Sequence, residues 1–357
     1  MDLDDVLAKN RLLKNIQAGK RCFIIGNGPS IKTHDITPLK EEVTIVVSSF
    51  FRHDDAKTIN PNYWVMADPY IWVKPEEYFL PSFRFAYDKG ITTKLFIPTG
   101  GFPFFSSFHS GPFIDIHFFH YDHSKTIDTL IDFSVGIPPY GQNVVIVSLM
   151  LALYLGCNPI YFIGCDHDFM NFTEEEYENN VVDHFYSNPN QNKCSEHLTW
   201  QQWSAAMSRM RFEYEQLKSY ASLWGFHVFN ATKGGSLDIF PRIGYETLLL
   251  KHTNKSLTDK TIIDISGVSN SIGGVVIKML NSGDNSTALV LIDEAIRKNI
   301  NKQNRVKGLE YLKSICLSRF SRYGEALLFA RQDYESNTAN RNKSKELISQ
   351  LEKVCGA

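Results

Sequence analysis

The chain has 357 residues, 37 basic against 39 acidic, for a formal net charge of −2. That length suits one large domain plus a smaller one, and the even balance without a single-sign block argues against a nucleic-acid binder. Six scattered cysteines without paired spacing read as reduced thiols rather than a disulfide framework.

In chain order, Leu3, Val6, Leu7, Leu12, Leu13 and Ile16 fall at helical spacing, which predicts an amphipathic lead-in helix over 3–19 that covers a sheet edge. The acidic start lacks the apolar segment of a signal peptide. Cys22 to Ile25 then form a short apolar run ending in Gly26-Asn27-Gly28-Pro29-Ser30. This reads as a buried parallel strand opening into a glycine turn, where backbone can approach a ligand and aim N–H groups at a phosphate. It is neither the dinucleotide fingerprint, since Ile31 replaces the third glycine, nor a Walker loop. Further strands are predicted at 43–47, ending in Ser48-Ser49; at 63–67, ending in Asp68-Pro69; at 94–97; and at 114–119. Polar or small residues at each strand tip mark a ligand-facing edge. The run Phe102 to Phe108 reads as core or cleft wall, against a membrane-dipping loop.

Val144 to Leu155 is apolar on every face, a helix buried against the sheet, and too short to span a bilayer. Gly156 stops it, and a strand over 160–163 ends in Gly164-Cys165-Asp166-His167-Asp168. Residues 169–197 are polar and without strong period, as in a lid. A long helix follows from Thr199 to Trp224, then a strand at 227–229. From about 255 the aromatics thin out and helical periods take over, at 288–296, 309–320, 325–334 and 343–354. They suggest a tetratricopeptide-like appendage, either packed on the main domain or binding a protein partner. The expected architecture is α/β: a Rossmann-like, mostly parallel sheet flanked by helices over 1–250, with a lid at about 167–198 and a helical domain over 255–357.

The Gly26-to-Ser30 turn, Leu151-Ala-Leu-Tyr-Leu-Gly156, Ile160-Tyr-Phe-Ile-Gly-Cys-Asp-His167, Phe229-Asn-Ala-Thr and Asp238-Ile-Phe-Pro241 resemble one superfamily. It groups bacterial sialyltransferases of the lipooligosaccharide type, flagellin-glycosylating motility accessory factors and the pyrophosphokinase-like domain of archaeal pterin synthesis. The resemblance implies a domain that binds a cytidine-type nucleotide at the strand tips. In the sialyltransferase branch the donor is a CMP-linked nonulosonic acid and no metal is required. Carried over, Gly26, Asn27, Gly28 and Ser30 lie against the nucleotide, Ser48, Ser49 and Asp68 contact sugar and phosphate, and Gly164, Cys165 and Asp166 contact base and ribose. Asparagine or glutamine is expected where Ser48, Ser49 and Asp68 stand.

Sugar transfer needs leaving-phosphate stabilisation, a base for the acceptor hydroxyl and exclusion of water. Lid hydroxyls of Tyr177 or Tyr186 can serve the phosphate. Base candidates are His184, flanked by Asp183 and Tyr186, then His197, Asp166 and His167. Asp166 can equally cap a helix, Asp68 can be a turn residue, and His184 a plain loop histidine. Zinc on Cys165, Asp166, His167, Asp168, His184 and Cys194-x-x-His197 is disfavoured, because there is no second close-spaced pair and the first four are successive residues that cannot all face inward; a sugar-nucleotide cation site on Asp166-x-Asp168 is a further, less favoured reading. The expectation is a cytoplasmic, metal-independent glycosyltransferase taking a CMP-sugar donor and a glycan or protein acceptor in surface polysaccharide synthesis, with no nucleic acid and with peripheral membrane association left open. The alternatives are an ATP-dependent pyrophosphokinase, disfavoured because no arginine follows the glycine turn, and a non-catalytic nucleotide-binding scaffold.

Overall fold

The structure, a computed structural model, describes residues 2–127, 131–139, 143–179, 182–186, 198–249, 276, 277, 280, 288, 292, 309–319, 323–336 and 341–355. The chain divides into two compact units, residues 1–222 with 226–243, and residues 223–225 with 244–357.

The first unit is built on seven strands: β1 (Cys22–Ile25), β2 (Val43–Val47), β3 (Tyr63–Val65), β4 (Thr93–Pro98), β5 (Ile114–Phe119), β6 (Ile160–Ile163) and β7 (Val228–Asn230). All pair in parallel in the order β5-β4-β3-β2-β1-β6-β7, which makes the fold α/β and Rossmann-like. β1, β2 and β6 are buried along their whole length, as expected of strands covered on both faces. The helix Val144–Tyr154 packs on β1, β2 and β3, and Val145 to Tyr154 are all buried, in keeping with its uniformly apolar sequence.

The order reverses at β1. Chain leaving β1 runs outward through β2 to β5, whereas β6 and β7 lie on the other side. Such a reversal leaves a crevice at the carboxyl ends of the two central strands.

Two boundaries differ from the sequence reading. The lead-in helix covers only Leu3–Ala8 and tightens to a 3-10 turn over Lys9–Leu13. There Asn10 is fully buried, donating to the carbonyls of Phe118 (2.7 Å) and Phe133 (2.8 Å) on and beside edge strand β5. β3 stops at Val65, because the Asp68 carboxylate accepts from Tyr70 N at 2.8 Å and turns the chain into a short helix, Tyr70–Val73. The Phe102–Phe108 run packs its rings against Phe79 and Phe83, as core and not as an exposed loop. Within 169–197, residues 174–179 form a helix that the sequence pattern did not suggest, with Tyr177 as its buried anchor. Among the described residues, no helix is long and apolar enough to cross a membrane.

The second unit contains the helices Tyr245–Leu249, Leu309–Arg319, Tyr323–Ser336 and Arg341–Cys355, the last three packing consecutively. Its core includes Leu309, Leu312, Ile315, Ala326, Phe329, Ala330 and Leu351. Inside it the Ser344 hydroxyl donates to the Asp333 carboxylate at 2.5 Å. Most of the expected helix 288–296 lies outside the described residues, of which Ala288 and Ile292 are helical.

Candidate functional site

The register pairs Ile25 with Ile163, so Gly26 stands beside Gly164 and the two strand tips touch. Gly26 N–H donates to Ile163 O and Gly28 N–H to Gly164 O, both at 2.8 Å. A Cβ on Gly26 would lie 2.3 Å from Gly164 O, and one on Gly28 only 1.7 Å from an Asp166 carboxylate oxygen. The sequence reading gave these glycines to a close-lying ligand; in the structure what they admit is the tip of β6.

Asp166 is the hinge of this arrangement. Its carboxylate accepts from Ser30 N (3.2 Å) and Ser30 Oγ (2.8 Å), so it caps the 3-10 turn Pro29–Thr33 from the neighbouring strand. The amides of Gly26, Gly28 and Ser30 are thereby all engaged within the protein, which corrects the expectation that they point at a phosphate. Burial raises the Asp166 pKa, and the two bonds from Ser30 work against that rise. From behind, Cys165 N donates to Thr232 Oγ1 at 3.1 Å and Ser236 N to Asp166 O at 2.6 Å. The loop after β7 therefore braces the loop after β6.

Between the two tips lies a cleft of about 410 Å³. It is lined by Gly26, Asn27, Gly28, Ser48, Ser49, Asp68, Gly164, Cys165, Asp166, His184 and Tyr186, which the sequence reading had nominated from five separate segments. Ser30 is not in the lining, since its side chain is turned onto Asp166. His197 lies outside the described residues. Tyr177 is misassigned as a cleft hydroxyl: the ring is buried and its hydroxyl donates to Leu198 O.

Residues 182–186 lie across the turn. Phe185 N donates to Asn27 O at 2.8 Å, and the Phe185 ring packs on Phe50 and His53. That pins half-buried His184 and Tyr186, stacked 5.1 Å apart, on the cleft wall. Burial lowers the His184 pKa, against the opposing pull of Asp183, and so favours the neutral imidazole. His167 is a poorer base. It sits at φ +56 with Nε2 2.9 Å from the Tyr214 hydroxyl, and full burial lowers its pKa to about 4. Cys165 is no nucleophile either, because burial pushes its thiol far up.

Two features escaped the sequence reading. Arg52 closes the 3-10 turn Phe50–Arg52 after β2, with its guanidinium 4.8 Å from the Tyr186 ring centre. Among the described residues lining the cleft it is the one arginine or lysine, and it shares that lining with Asp68, Glu77, Asp166, Asp168 and Asp183. The available signal was a basic residue a few positions past a strand tip. Asn143, also in the lining, accepts from Val145 N at 2.8 Å and caps the buried helix, whose positive end faces the cleft. Among the described residues no group of three or more His, Cys, Asp or Glu is placed to hold a metal ion.

A parallel α/β sheet with a cleft at its switch point defines a Rossmann-like protein with a candidate ligand-binding site. Residues 2–172, which carry β1 to β6 and both strand tips, match the family model described as 6-hydroxymethylpterin diphosphokinase MptE-like. The match points to a transferase-like or scaffold role. No curated protein matches the chain.

Proposed function

We propose that the chain is a nucleotide-dependent transferase whose cleft holds a CMP-activated sugar, a nonulosonic acid being the donor that the sequence resemblance favours. The observation that carries this reading is the charge of the cleft: Arg52 and one helix N-terminus against five carboxylates. A CMP-linked nonulosonic acid presents two negative charges, one on the phosphodiester and one on the sugar carboxylate, for one guanidinium and a helix dipole to meet, about half the charge of a free triphosphate. A free triphosphate would meet the carboxylates unneutralised. In transfer, the acceptor oxygen bonds the anomeric carbon, the bond from that carbon to the phosphate oxygen breaks, and CMP leaves. His184, neutral near pH 7, takes the hydroxyl proton. Arg52 steadies the leaving phosphate. Asp166 holds the glycine turn in place through Ser30.

The matched family supports a second reading, diphosphoryl transfer from ATP. In that case the carboxylates would face a magnesium ion carried in with the nucleotide.

Thermal denaturation of the full chain with CMP, and separately with ATP and magnesium, tests the choice. At a hundredfold excess over Kd a bound nucleotide adds about 2.7 kcal/mol, a Tm rise of roughly 5–10 °C for a unit of this size. A rise with CMP and none with ATP supports glycosyl transfer. The reverse moves the assignment to the kinase reading. No rise with either removes both.

A further inference from the structure

Strand β5 forms one edge of the sheet, and an edge strand carries a row of backbone groups with no neighbouring strand to pair them. Two of its carbonyls are met by side chains of the N-terminal 3-10 turn Lys9–Leu13. Lys9 Nζ donates to Ile116 O, and Asn10 Nδ2 donates to Phe118 O at 2.7 Å. The turn thus stands where a further strand would lie. Fully buried Asn10 gives its other amide hydrogen to Phe133 O at 2.8 Å, and the Tyr154 hydroxyl donates to Asn10 O at 2.9 Å.

His117, 3% exposed, joins this turn to the strand. Its Nδ1 lies 2.7 Å from Asn10 Oδ1 and its Nε2 2.8 Å from Asp115 Oδ2, while the ring stacks on Phe96 at 4.9 Å. Donor and acceptor chemistry fixes the state of the ring. Both Asn10 amide hydrogens are spent on carbonyls, so the atom facing Nδ1 is an oxygen, which can only accept. The bonds from His117 and from Lys9 Nζ (2.9 Å) hold the Asp115 carboxyl well below the usual carboxylate range, so Oδ2 is an acceptor too. A neutral imidazole has a single N–H and would set a lone pair against an oxygen at one end. The imidazolium donates at both. Burial opposes a charge on the ring, as do the ammonium groups of Lys9 on the turn and Lys94 on β4; Asp115 on its own strand favours it. The two short contacts decide for the charged ring, because charge-assisted bonds are about twice as strong as neutral ones and two facing acceptors gain nothing.

We infer that His117 is a buried imidazolium whose proton latches the N-terminal turn onto the edge of the sheet. When that proton leaves, a lone pair faces Asn10 Oδ1 or Asp115 Oδ2, and the turn lifts from Ile116 O and Phe118 O. The latched ring binds its proton more tightly than a solvated histidine, with its ordinary value of about 6.5. The latch is therefore at full strength below that pH and is lost as pH rises through the higher midpoint of the latched ring. None of this depends on what the cleft binds.

The test is long-range proton–nitrogen NMR on the full chain with isotope-labelled histidine, which reports the protonation of each ring nitrogen. His117 is the one histidine preceded by isoleucine, so carbonyl-labelled isoleucine assigns it without a substitution. The expected result is both ring nitrogens protonated at about pH 7, with a midpoint at least about one unit above 6.5. By linkage, one unit is a tenfold change in the opening of the latch. Hydrogen exchange over residues 9–13, corrected for its intrinsic pH dependence, should then quicken about tenfold or more across the midpoint. Asp115→Asn, at a half-exposed position, should lower the midpoint and carry the change in exchange with it. A bare ring nitrogen at about pH 7, a midpoint at or below 6.5, or a midpoint unmoved in Asp115→Asn overturns the imidazolium. A high midpoint with unchanged exchange over 9–13 overturns the latch.

Discussion

Gly28→Ala tests the interlock of the two central strand tips. Gly28 has φ −65, a conformation alanine adopts freely, so backbone strain plays no part. The added Cβ would stand 1.7 Å from Asp166 Oδ2, 2.5 Å from its Cγ and 2.8 Å from Gly164 O. The carboxylate must leave, and with it go the bonds from Ser30 N and Ser30 Oγ. A hydrogen bond to a charged group is worth about 1.5–3 kcal/mol, and overpacking adds about 1–3 kcal/mol. Relief of Asp166's desolvation returns part of this, so the expected loss is about 2–4 kcal/mol. Urea unfolding followed by tryptophan fluorescence measures it, since four of the five tryptophans (64, 72, 200 and 203) lie in the first unit. The midpoint should drop by about 1 M or more, given the usual urea slopes of about 1–3 kcal/mol per molar. Asp166→Ala removes the colliding atoms beforehand, so the double variant should fall short of the summed single losses by about 1–3 kcal/mol. A loss under about 0.5 kcal/mol for Gly28→Ala, or losses that simply add, would show that the two tips are not locked together in this way.

Three other outcomes are expected. His167 has a folded pKa near 4 against an ordinary 6.5, so the unfolded chain binds more protons between those values and stability falls as pH drops through that window. The loss approaches about 3 kcal/mol at 1.36 kcal/mol per unit, and His167→Gln should flatten that part of the stability–pH curve; an unchanged curve refutes the assignment. Arg52→Met should weaken CMP binding about tenfold or more while leaving Tm without nucleotide within a few degrees, read by titration calorimetry. If His184 is the base, the transfer rate falls as pH drops through its lowered pKa, and His184→Gln abolishes both the rate and that acid limb. Full turnover in His184→Gln sinks its role.

The α/β class, the seven strand positions, the all-buried helix over 144–154 and the long helix over 200–223 were legible in the amino-acid order, because each rests on local apolar period and on glycine or polar stops. So was the set of strand-tip residues that line the cleft, since parallel strands gather their carboxyl ends on one edge. What each of those residues does there was decided only by the tertiary structure. Asp166 and Ser30 stand 136 positions apart, and it is the pairing of Ile25 with Ile163 that brings them together. That same register sets Gly26 and Gly28, just past β1, against the tip of β6, with their amides bonded to Ile163 O and Gly164 O, and seats His167 against Tyr214, where burial suppresses its charge. Arg52 reads as an ordinary surface cation until the fold sets it beside Tyr186. Periodicity encodes which face of an element is buried; partners, distances and pKa shifts follow from sheet order and register, which no local pattern specifies.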